Sequence, residues 1–472
     1  MSIKVMNIKL NDFGKENSLR SDVQYILFQK NIKKEKYYSF KELFDFAMNN
    51  KVCVDKLEKF KYSEIRNVDK NGYVEPVDLD NNERKIEDED YYKKIDKGDI
   101  LKAKTDDILI SKVRPNLKKY VRITEENKEI YYTTAFIHLI PKKIKTIIYY
   151  MLRENFYENL VSITRTGKGY PTINEKDLTY MKFNKEAVDN LIKNEQKYNS
   201  IILNIENKIS SLKNRIISED DIINETFRKY FNFNYDKFFE LKNERNYKTT
   251  LLKFSNNIDV RNSVKFHKEA KDFVFEELKK NSKKKIKDFL EEPMCLGKSI
   301  SPDDYEEGQE YYYVSMADIK NYVFDSENAK TVSEEFAKHN IQKNIQKGDI
   351  LLARSGEGTI GKVAIIEDEY KGIFADFIIR IRLNQNYNRE FAYYYFRSLY
   401  FQYIVETYKK GLGNNTNIFP IQIKEFPIID IPIKDQEKIA QEIKKSIVEQ
   451  NKLKAEIDID QNEIKEKLQK GV

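Results

Sequence analysis

The pattern of apolar and polar positions divides the chain into short strand-like runs and longer helical segments. FIIRIRL, from Phe377, alternates as a half-buried strand does, and AFIHLI, from Ala135, follows the same rule. FAYYYFRSLYFQYIVETYKK, from Phe391, is apolar on all sides and predicts a partly buried helix. The mixture predicts an α+β protein.

Two long segments lack proline and glycine, one from Lys185 to Tyr230 and one from Lys434 to about Lys470. Their apolar positions repeat every four and three residues, as along the seam of a coiled coil, although Gln450 and Asp460 interrupt the second seam. At 1.5 Å per residue, we expect helices of about 65 and 55 Å. Because an apolar stripe needs a partner, we expect the two helices to pair antiparallel; the alternative is that each packs on its own globular domain. The seam residues are Tyr198, Ile202, Ile205, Ile209, Leu212 and Ile216, then Ile443, Leu453, Ile457 and Ile464.

The two halves of the chain share landmarks in the same order at a nearly constant separation. DDILISKVRPNLKKYVRI, from Asp106, matches KGDILLARSGEGTIGKVAII, from Lys347, with Asp107 aligned to Asp349. Three further matches are YYTTAFIHLI with GIFADFIIRI, Gly167–Gly169 with Gly411–Gly413, and YSEIRNVDKNGYV with YVSMADIKNYVF. We therefore predict a tandem duplication in which an α/β domain is followed by a long helix. The expected boundaries are 1–184, 185–230, 231–433 and 434–472, with a linker around 231–247.

Composition narrows the class of protein. Hydrophobic residues make up 40% of the 472 residues, and no apolar run is long enough to span a membrane. The N-terminus has no secretory signal pattern, so we expect a cytoplasmic protein. The chain has only two cysteines and three histidines, which are too few for a disulfide framework and argue against a zinc site. A net charge of +7 is compatible with nucleic-acid binding but does not establish it.

GEGTIGKV, from Gly356 to Val363, fits the glycine patterns of nucleotide-binding loops. A dinucleotide loop should lead from a strand into a helix, whereas KVAIIEDEY continues as a strand. The corresponding loop of the first half, SKVRPNLKKYV, has no glycine. A hairpin turn is therefore the favoured interpretation, and no other catalytic motif is found in the sequence.

Basic and polar side chains recur in the loops of both halves. Lys and Arg neutralise phosphates, and Arg and Asn can also contact base edges through paired hydrogen bonds. The alternative for each residue is an ordinary surface turn. The candidate DNA-binding residues are Lys112, Arg114, Lys118, Lys119, Arg165, Lys168 and Tyr170 in the first half, and Arg354, Ser355, Lys409, Lys410, Asn414, Asn415, Thr416 and Asn417 in the second.

The chain resembles the DNA-specificity subunits of type I restriction–modification systems. The resemblance is carried by KGDILLARSGEGTIGKVAII, by GLGNNTNIFPIQIKEFPIIDIPI with the following IKDQEKIAQEI, and by the last helical segment. SLRSDVQYI, from Ser18, is similar to the family's domain opening, and DVRNSVKFH, from Asp259, is its counterpart in the second half. The first half departs from the pattern, because FNKEAVDNLIK lacks the proline and glutamine.

This resemblance implies two target-recognition domains that each read one half of a split DNA sequence, as part of phage defence. It implies two docked methyltransferase subunits, joined by motor-nuclease subunits in the full system. The methyltransferases would bind S-adenosylmethionine, so no cofactor, metal or catalytic residue is expected in this chain. The alternatives are a coiled-coil scaffold that does not contact DNA and a diverged nucleotide-binding enzyme that uses the GEGTIG loop.

Overall fold

The computed structural model describes residues 36–48, 51–84, 88–165, 169–244, 248, 250–255, 261, 263–320, 322–327, 329–356, 358–411 and 416–469. These residues form two compact units. Unit 1 contains Met1–Asn214 and Lys454–Val472, and unit 2 contains Arg215–Leu453. The family-like segment SLRSDVQYI and part of DVRNSVKFH lie outside the described residues.

Unit 1 combines short strands with helices that lie between and after them. Its strands are β1 Tyr37–Ser39, β2 Phe44–Phe46, β3 Lys59–Ser63, β4 Val77–Asp80, β5 Ile100–Leu101, β6 Ile108–Ser111, β7 Tyr120–Arg122, β8 Tyr131–Thr133, β9 Phe136–Pro141 and β10 Lys182–Asn184. Its helices are α1 Phe40–Leu43, α2 Glu89–Ile95, α3 Lys145–Arg153, α4 Tyr157–Ile163, α5 Glu175–Leu178, α6 Lys185–Lys193 and α7 Glu195–Lys213, with 3₁₀ turns at Ile65–Asn67 and Pro115–Leu117.

The strands of unit 1 form two four-stranded sheets and one separate pair. The sheet orders are β2-β9-β6-β7 and β4-β3-β8-β5, and β1 pairs with β10. All four residues of β6 are buried, so both faces of this strand are covered, as its continuous apolar run ILI predicts. One apolar cluster of this unit gathers Leu109, Val121, Tyr132 and Phe136.

Unit 2 begins with helices and ends in the longest helix of the described chain. Its helices are α8 Glu219–Phe231, α9 Tyr235–Asn243, α10 Leu251–Ser255, α11 Val264–His267, α12 Glu269–Asn281, α13 Glu334–His339, α14 Arg389–Arg397, α15 Leu399–Tyr408, α16 Pro420–Ile423 and α17 Ile433–Gln469. Its strands are β11 Cys295–Leu296, β12 Tyr311–Val314, β13 Ile319–Lys320, β14 Val323–Phe324, β15 Thr331–Val332, β16 Ile350–Ala353, β17 Val363–Ile365, β18 Gly372–Phe374 and β19 Ile378–Ile381. The 3₁₀ turns are Ile286–Phe289, Pro302–Asp304, Met316–Asp318 and Ile341–Lys343.

The strand pairing of unit 2 repeats that of unit 1. β11-β19-β16-β17 forms an antiparallel row within a six-stranded sheet, in the same arrangement as β2-β9-β6-β7. A parallel pair also recurs, with Tyr62 beside Tyr131 in β3 and β8, and Tyr313 beside Ile373 in β12 and β18. The predicted α+β class and tandem duplication are confirmed.

The aspartate that opens each repeat has the same structural role in both units. Asp107 accepts a hydrogen bond from the backbone N–H of Lys104, and Asp349 accepts one from the N–H of Gln346, each three residues earlier. Each carboxylate also contacts a side chain of the neighbouring strand or of the residue after it: His138 belongs to β9, and Arg382 directly follows β19. His138 lies 2.7 Å from Asp107, and Arg382 contacts Asp349 at 2.7 Å.

The expected single helix over 185–230 is wrong, because the segment forms α6, α7 and α8 with breaks between them. Asn194 ends α6, and Ser218 begins α8 by accepting a hydrogen bond from the N–H of Asp221. Ile216 therefore lies outside any helix. Of the other predicted seam residues in this segment, Ile202, Ile205, Ile209 and Leu212 are buried and Tyr198 is half-buried.

The C-terminal helix is confirmed as α17, within one residue of its predicted start. Its residues up to Leu453 belong to unit 2 and its later residues to unit 1. Ile443, Ile457 and Ile464 are buried, and Leu453 is half-buried. Ile443 belongs to the core of unit 2 together with Phe227 and Phe391, so this part of the seam packs into a globular core.

The polar residues that interrupt the second seam have partners on the preceding helices. In unit 1, Lys208 and Asp460 form an ion pair of 2.7 Å. In unit 2, Gln450 accepts a hydrogen bond from the backbone N–H of Ile217 at 2.9 Å, and Glu442 pairs with Lys229 at 2.6 Å. Within unit 2, the partner position on α17 falls from Gln450 to Glu442 as the earlier segment advances from Ile217 to Lys229, so these two segments run antiparallel, as predicted.

The expected linker around 231–247 is also wrong over most of its length. Residues 235–243 form α9, which packs on α12. Tyr235 and Phe238 are buried in an aromatic group with Tyr400. The aromatic side chains give this segment enough apolar surface to join the core of unit 2.

Candidate nucleic-acid interface

In unit 1, the two basic loops predicted from the sequence lie side by side. Thr172 forms antiparallel bridges with both Val113 and Arg165. The backbone N–H of Arg114 donates to the carbonyl of Pro171 at 2.7 Å, in register with the same bridges. The loop after β6 and the loop after α4 thus form one surface, which we call platform 1 (described residues 112–119, 164–165 and 169–173).

Unit 2 builds the corresponding surface from the corresponding loops. Asn417 forms antiparallel bridges with both Ser355 and Lys410. The backbone N–H of Ile418 donates to the carbonyl of Arg354 at 2.8 Å, as the N–H of Ile173 donates to Lys112 in unit 1. We call this surface platform 2 (described residues 354–356, 358–361, 409–411 and 416–419).

Most predicted cations of platform 1 already have partners inside unit 1. Their hydrogen bonds hold the loops in place, so their nitrogens are only partly available to a ligand. Lys112 donates to the carbonyl of Thr134 at 2.8 Å, Lys118 to Glu154 at 3.0 Å, Lys119 to the carbonyl of Ile65 at 3.1 Å, and Arg165 to Asp177 at 2.9 Å.

Arg114 differs from these cations. It is exposed, and its guanidinium lies 3.6 Å from the ring centroid of Tyr170, which is itself 63% exposed. Among the described residues, the guanidinium has no hydrogen-bond or ion-pair partner. Arg114 has φ 50°, a left-handed conformation that few residues other than glycine adopt. The turn therefore presents a stacked, unpaired arginine at the surface.

Platform 2 also combines engaged and unpaired side chains. Lys409 pairs with Glu406 at 2.7 Å. Burial of Glu406 favours its neutral form, yet hydrogen bonds from Lys265 and Lys409 hold its pKa below the usual range. Arg354 Nε and Thr416 Oγ1 are buried without hydrogen-bond partners, and the guanidinium of Arg354 lies 5.6 Å from the ring centroid of Phe419.

The remaining candidates of platform 2 contribute mainly through the backbone. Ser355 bridges to Asn417, and its carbonyl accepts a hydrogen bond from the hydroxyl of Thr359 at 2.9 Å. Lys410 is held by reciprocal backbone hydrogen bonds with Asn417, each 2.7 Å long. Lys168, Asn414 and Asn415 lie outside the described residues, as does part of the Gly-Leu-Gly landmark.

Comparison with known families identifies the second half of the chain. Residues 278–465 match the model of the type I restriction modification DNA specificity domain. The chain contains a type I restriction–modification DNA specificity domain. The match includes platform 2 and most of α17, and it confirms the resemblance found in the sequence. Unit 1 lies largely outside the matched residues and is related to this domain through its repeated strand pairing.

Solved structures of the same kind of protein also resemble the chain, at low identity. The first belongs to a structure on complex assembly and conformational transition of the type I R-M system, with 12% identity, 92% of this chain and 96% of that chain covered, and a TM-score of 0.41. The HsdS subunit of Thermoanaerobacter tengcongensis has 12% identity, 92% and 95% coverage, and a TM-score of 0.35. The type I S subunit of M. genitalium has 12% identity, 93% and 97% coverage, and a TM-score of 0.40. A search of curated proteins found no match.

Within the specificity domain, the GEGTIG sequence forms the turn of a β-hairpin. β16 and β17 pair antiparallel, and the N–H of Gly361 donates to the carbonyl of Ala353 across the turn. Gly356, Gly358 and Gly361 all have positive φ, which accounts for glycine at these positions. The strand-to-helix geometry of a nucleotide-binding loop is absent from this hairpin.

Exposed apolar residues beside the specificity domain's platform were not among the predicted contacts. Phe377 is 58% exposed at the turn before β19, and its carbonyl accepts the N–H of Arg354 at 2.9 Å. Phe419 and Ile421 are also exposed next to this loop. The alternating pattern FIIRIRL places Phe377 in a strand, so only the turn at Ala375–Ile378 reveals its exposure.

Other kinds of site find no support in the part of the chain that the structure describes. No group of three or more histidine, cysteine, aspartate or glutamate side chains there is arranged to hold a metal ion. None of the described helices has the length and apolar character needed to cross a membrane.

We predict different effects for the two arginines of platform 1 on stability. Arg165 forms bidentate hydrogen bonds with Asp177, which is fully buried, so Arg165→Ala should lower the free energy of unfolding by about 2–3 kcal/mol. Arg114→Ala removes an exposed side chain without such a partner and should change stability by less than about 0.5 kcal/mol. Chemical denaturation of both variants measures the difference, and equal losses would contradict a structural role for Arg165.

Proposed function

We propose that this chain is a non-catalytic DNA-specificity subunit in which each unit reads one half of a bipartite DNA target. The observation that carries the proposal is the repeated platform, in which two loops with basic side chains are joined by equivalent backbone hydrogen bonds in both units. The DNA specificity domain at 278–465 supports DNA as the ligand.

Two platforms with the same backbone and different side chains suit this task. Contacts to phosphates position a protein on DNA, whereas side chains that reach base edges determine the sequence that is bound. The two platforms present different side chains to DNA, so the two half-sites should differ. Platform 1 has Arg114 and Tyr170, whereas platform 2 has Arg354, Thr416 and Asn417.

The chain directs chemistry that partner subunits perform. In this proposal, two methyltransferase subunits bind S-adenosylmethionine and methylate the target that this chain selects. Motor-nuclease subunits join the same complex when the DNA is to be cut. The protein acts in the cytoplasm as part of phage defence. Its target-recognition domains are 1–184 and 231–433; the first is followed by 185–230, which forms α6, α7 and α8, and the second by the helix of 434–472.

Methylation mapping in the host tests the proposal. The full chain is expressed with its partner methyltransferase, and methylated positions are compared with those of a strain lacking the chain. We expect a bipartite motif that disappears on deletion. Methylation that persists without the chain, or that shows no split motif, would contradict the proposed function.

A loop variant tests whether each unit reads its own half-site. Replacing residues 414–417 by a Gly-Ser sequence of the same length should relax the motif in one half and leave the other half unchanged. Lys283→Ala with Lys284→Ala is the matched control, because these exposed lysines of unit 2 lie outside platform 2. Equal weakening of both half-sites by the loop variant would assign the loop to general phosphate contact or to structure.

A further inference from the structure

Arg114 and Arg354 differ from every other arginine that stacks on an aromatic ring in the described residues. The others use their hydrogen-bonding groups inside the protein, which leaves the ring contact as a packing feature. These are Arg66 with Glu64, Arg84 with Asp96, Arg153 with the hydroxyl of Tyr149, Arg261 with the carbonyl of Lys409, Arg380 with Glu292 and Arg397 with Glu219. Within the part of the chain that the structure describes, only the two platform arginines combine a ring contact with no polar partner.

The two unpaired arginines lie in corresponding loops of their units, at positions two residues apart. Lys112 and Arg354 follow β6 and β16 directly, and Arg114 is two residues further along the loop of platform 1. The ring beside each arginine comes from the opposite loop of the same platform, as Tyr170 in unit 1 and Phe419 in unit 2. In platform 2, Thr416 lies in the same loop as Phe419 and is 8% exposed, and its buried hydroxyl is a second polar group without a partner among the described residues.

A planar guanidinium suits acceptors that lie side by side, such as the guanine edge or two phosphate oxygens. Stacking at 3.6 Å on Tyr170 restricts the plane of the Arg114 guanidinium. The Arg354 guanidinium, 5.6 Å from the Phe419 centroid, is restricted by burial of its Nε. Guanine presents the N7 and O6 acceptors side by side in the major groove, which matches this fork. A duplex that differs from the target in one guanine base alone distinguishes the base contact from the phosphate contact.

We propose that Arg114 and Arg354 each read a guanine in the half-site of their own unit. Tyr170 and Phe419 are then positioning residues that orient the guanidinium and do not contact the base edge themselves. The inference rests on the proposed function and adds a base identity to it: each half-site contains at least one guanine that is recognised through its major-groove edge.

Base analogues test this assignment with the intact complex. After methylation mapping defines the target, duplexes are prepared in which each guanine in turn is replaced by 7-deazaguanine, which lacks the N7 acceptor. We expect binding by the wild-type complex to fall roughly tenfold to a hundredfold at one guanine in each half-site. Inosine at the same position keeps N7 and O6 and should bind normally.

Arginine variants identify which residue reads which guanine. Arg114→Lys keeps the charge but loses the fork, so it should weaken binding and abolish the 7-deazaguanine effect in the first half-site only. Arg354→Lys should do the same in the second half-site. Arg84→Lys is the matched control, because Arg84 also stacks on a tyrosine but already pairs with Asp96.

The positioning role has its own readout. Tyr170→Ala should reduce discrimination between guanine and 7-deazaguanine, whereas Tyr170→Phe should retain it, because only the ring is needed. A variant that weakens binding equally to both duplexes would assign Tyr170 to structure.

Two results separate failure of this inference from failure of the proposed function. A bipartite methylation motif without any guanine sensitive to 7-deazaguanine, or with that sensitivity unchanged in Arg114→Lys and Arg354→Lys, overturns the guanine assignment alone. Absence of a bipartite motif overturns both.

Discussion

Arg382→Met is expected to lower the free energy of unfolding of unit 2 by about 3–5 kcal/mol. The guanidinium of Arg382 donates two hydrogen bonds of 2.7 Å to the carboxylate of Asp349, which is 1% exposed. Methionine fills similar volume but leaves that carboxylate buried without its counter-charge. Denaturant unfolding of the full chain, followed by a spectroscopic probe of the tyrosine-rich core, measures the loss.

Two further variants isolate the buried charge as the cause. Asp349→Asn in the Arg382→Met background removes the uncompensated charge and keeps an acceptor for the N–H of Gln346, so it should recover part of the loss. Arg389→Met breaks an exposed contact with Glu291 at 3.7 Å and should cost less than about 1 kcal/mol. A loss in Arg382→Met no larger than in Arg389→Met would show that Asp349 is adequately solvated without its partner.

The expected loss of stability should also affect DNA recognition, because Asp349 and Arg354 lie at the two ends of the same strand, β16. Asp349 precedes β16, and Arg354 follows its last residue, Ala353. Weakening the ion pair should therefore disorder the start of platform 2 before it affects platform 1. In methylation mapping at a temperature near the transition, the second half-site should lose definition first.

The duplicated fold could be predicted because its signals are local. Strands such as ILIS and ILLA are buried on both faces, and their apolar runs are visible in the sequence. The aspartates that open them bind backbone N–H groups three residues away, so the motif and its structural cause lie in the same short segment. Local chemistry of this kind survives in both halves and reveals the repeat.

The break between α7 and α8 could not be predicted in the same way. The spacing of apolar residues continues through Ile216 without interruption, so periodicity alone favours one helix. The break is stabilised by the hydrogen bond from Ile217 to Gln450, more than two hundred residues away. Ser218 is a local capping signal, but a serine within a long apolar repeat is compatible with either structure.

In the candidate interface, too, some features follow from the local sequence and others depend on distant residues. Basic clusters in the sequence predicted both platform loops, and backbone pairing brings those loops together. Which cations remain unpaired depends on distant acceptors such as Glu154 for Lys118 and Asp177 for Arg165. A lysine or arginine in a loop therefore predicts a basic surface, whereas the tertiary structure decides which side chain is available to a ligand.

The two units place different residues beside an equivalent buried arginine, a tyrosine in unit 2 and a glycine in unit 1. Helices α3 and α14 each end in a buried arginine that donates to a tyrosine hydroxyl one turn earlier, Arg153 to Tyr149 and Arg397 to Tyr393. In unit 2, Tyr322, at φ 64°, places its ring 3.6 Å from Arg397. In unit 1, the turn beside the arginine has Gly72 at φ 84°, which leaves no space for a side chain.

Gly72→Ala should therefore destabilise unit 1 by about 3–5 kcal/mol, through backbone strain and a steric clash together. A Cβ at this position would lie within 3.0 Å of the Tyr149 hydroxyl, the Tyr120 carbonyl and Nη1 of Arg153. The carbonyl belongs to β7 and cannot move without disturbing the pairing of β7 with β6. The measurement is the denaturant midpoint of the full-length variant, compared with wild type.

Gly98→Ala separates the two contributions, because Gly98 has φ 74° but nothing lies within 4 Å of the added Cβ. This control should lose only about 1–2 kcal/mol, the cost of the left-handed backbone. If Gly72→Ala lost no more than Gly98→Ala, the Tyr149–Arg153 pair would have to yield freely to an added methyl group. In that case the hydrogen bond between Arg153 and Tyr149 would not fix the end of α3. Arg153 and Arg397 would then share a position in their units but not a structural role.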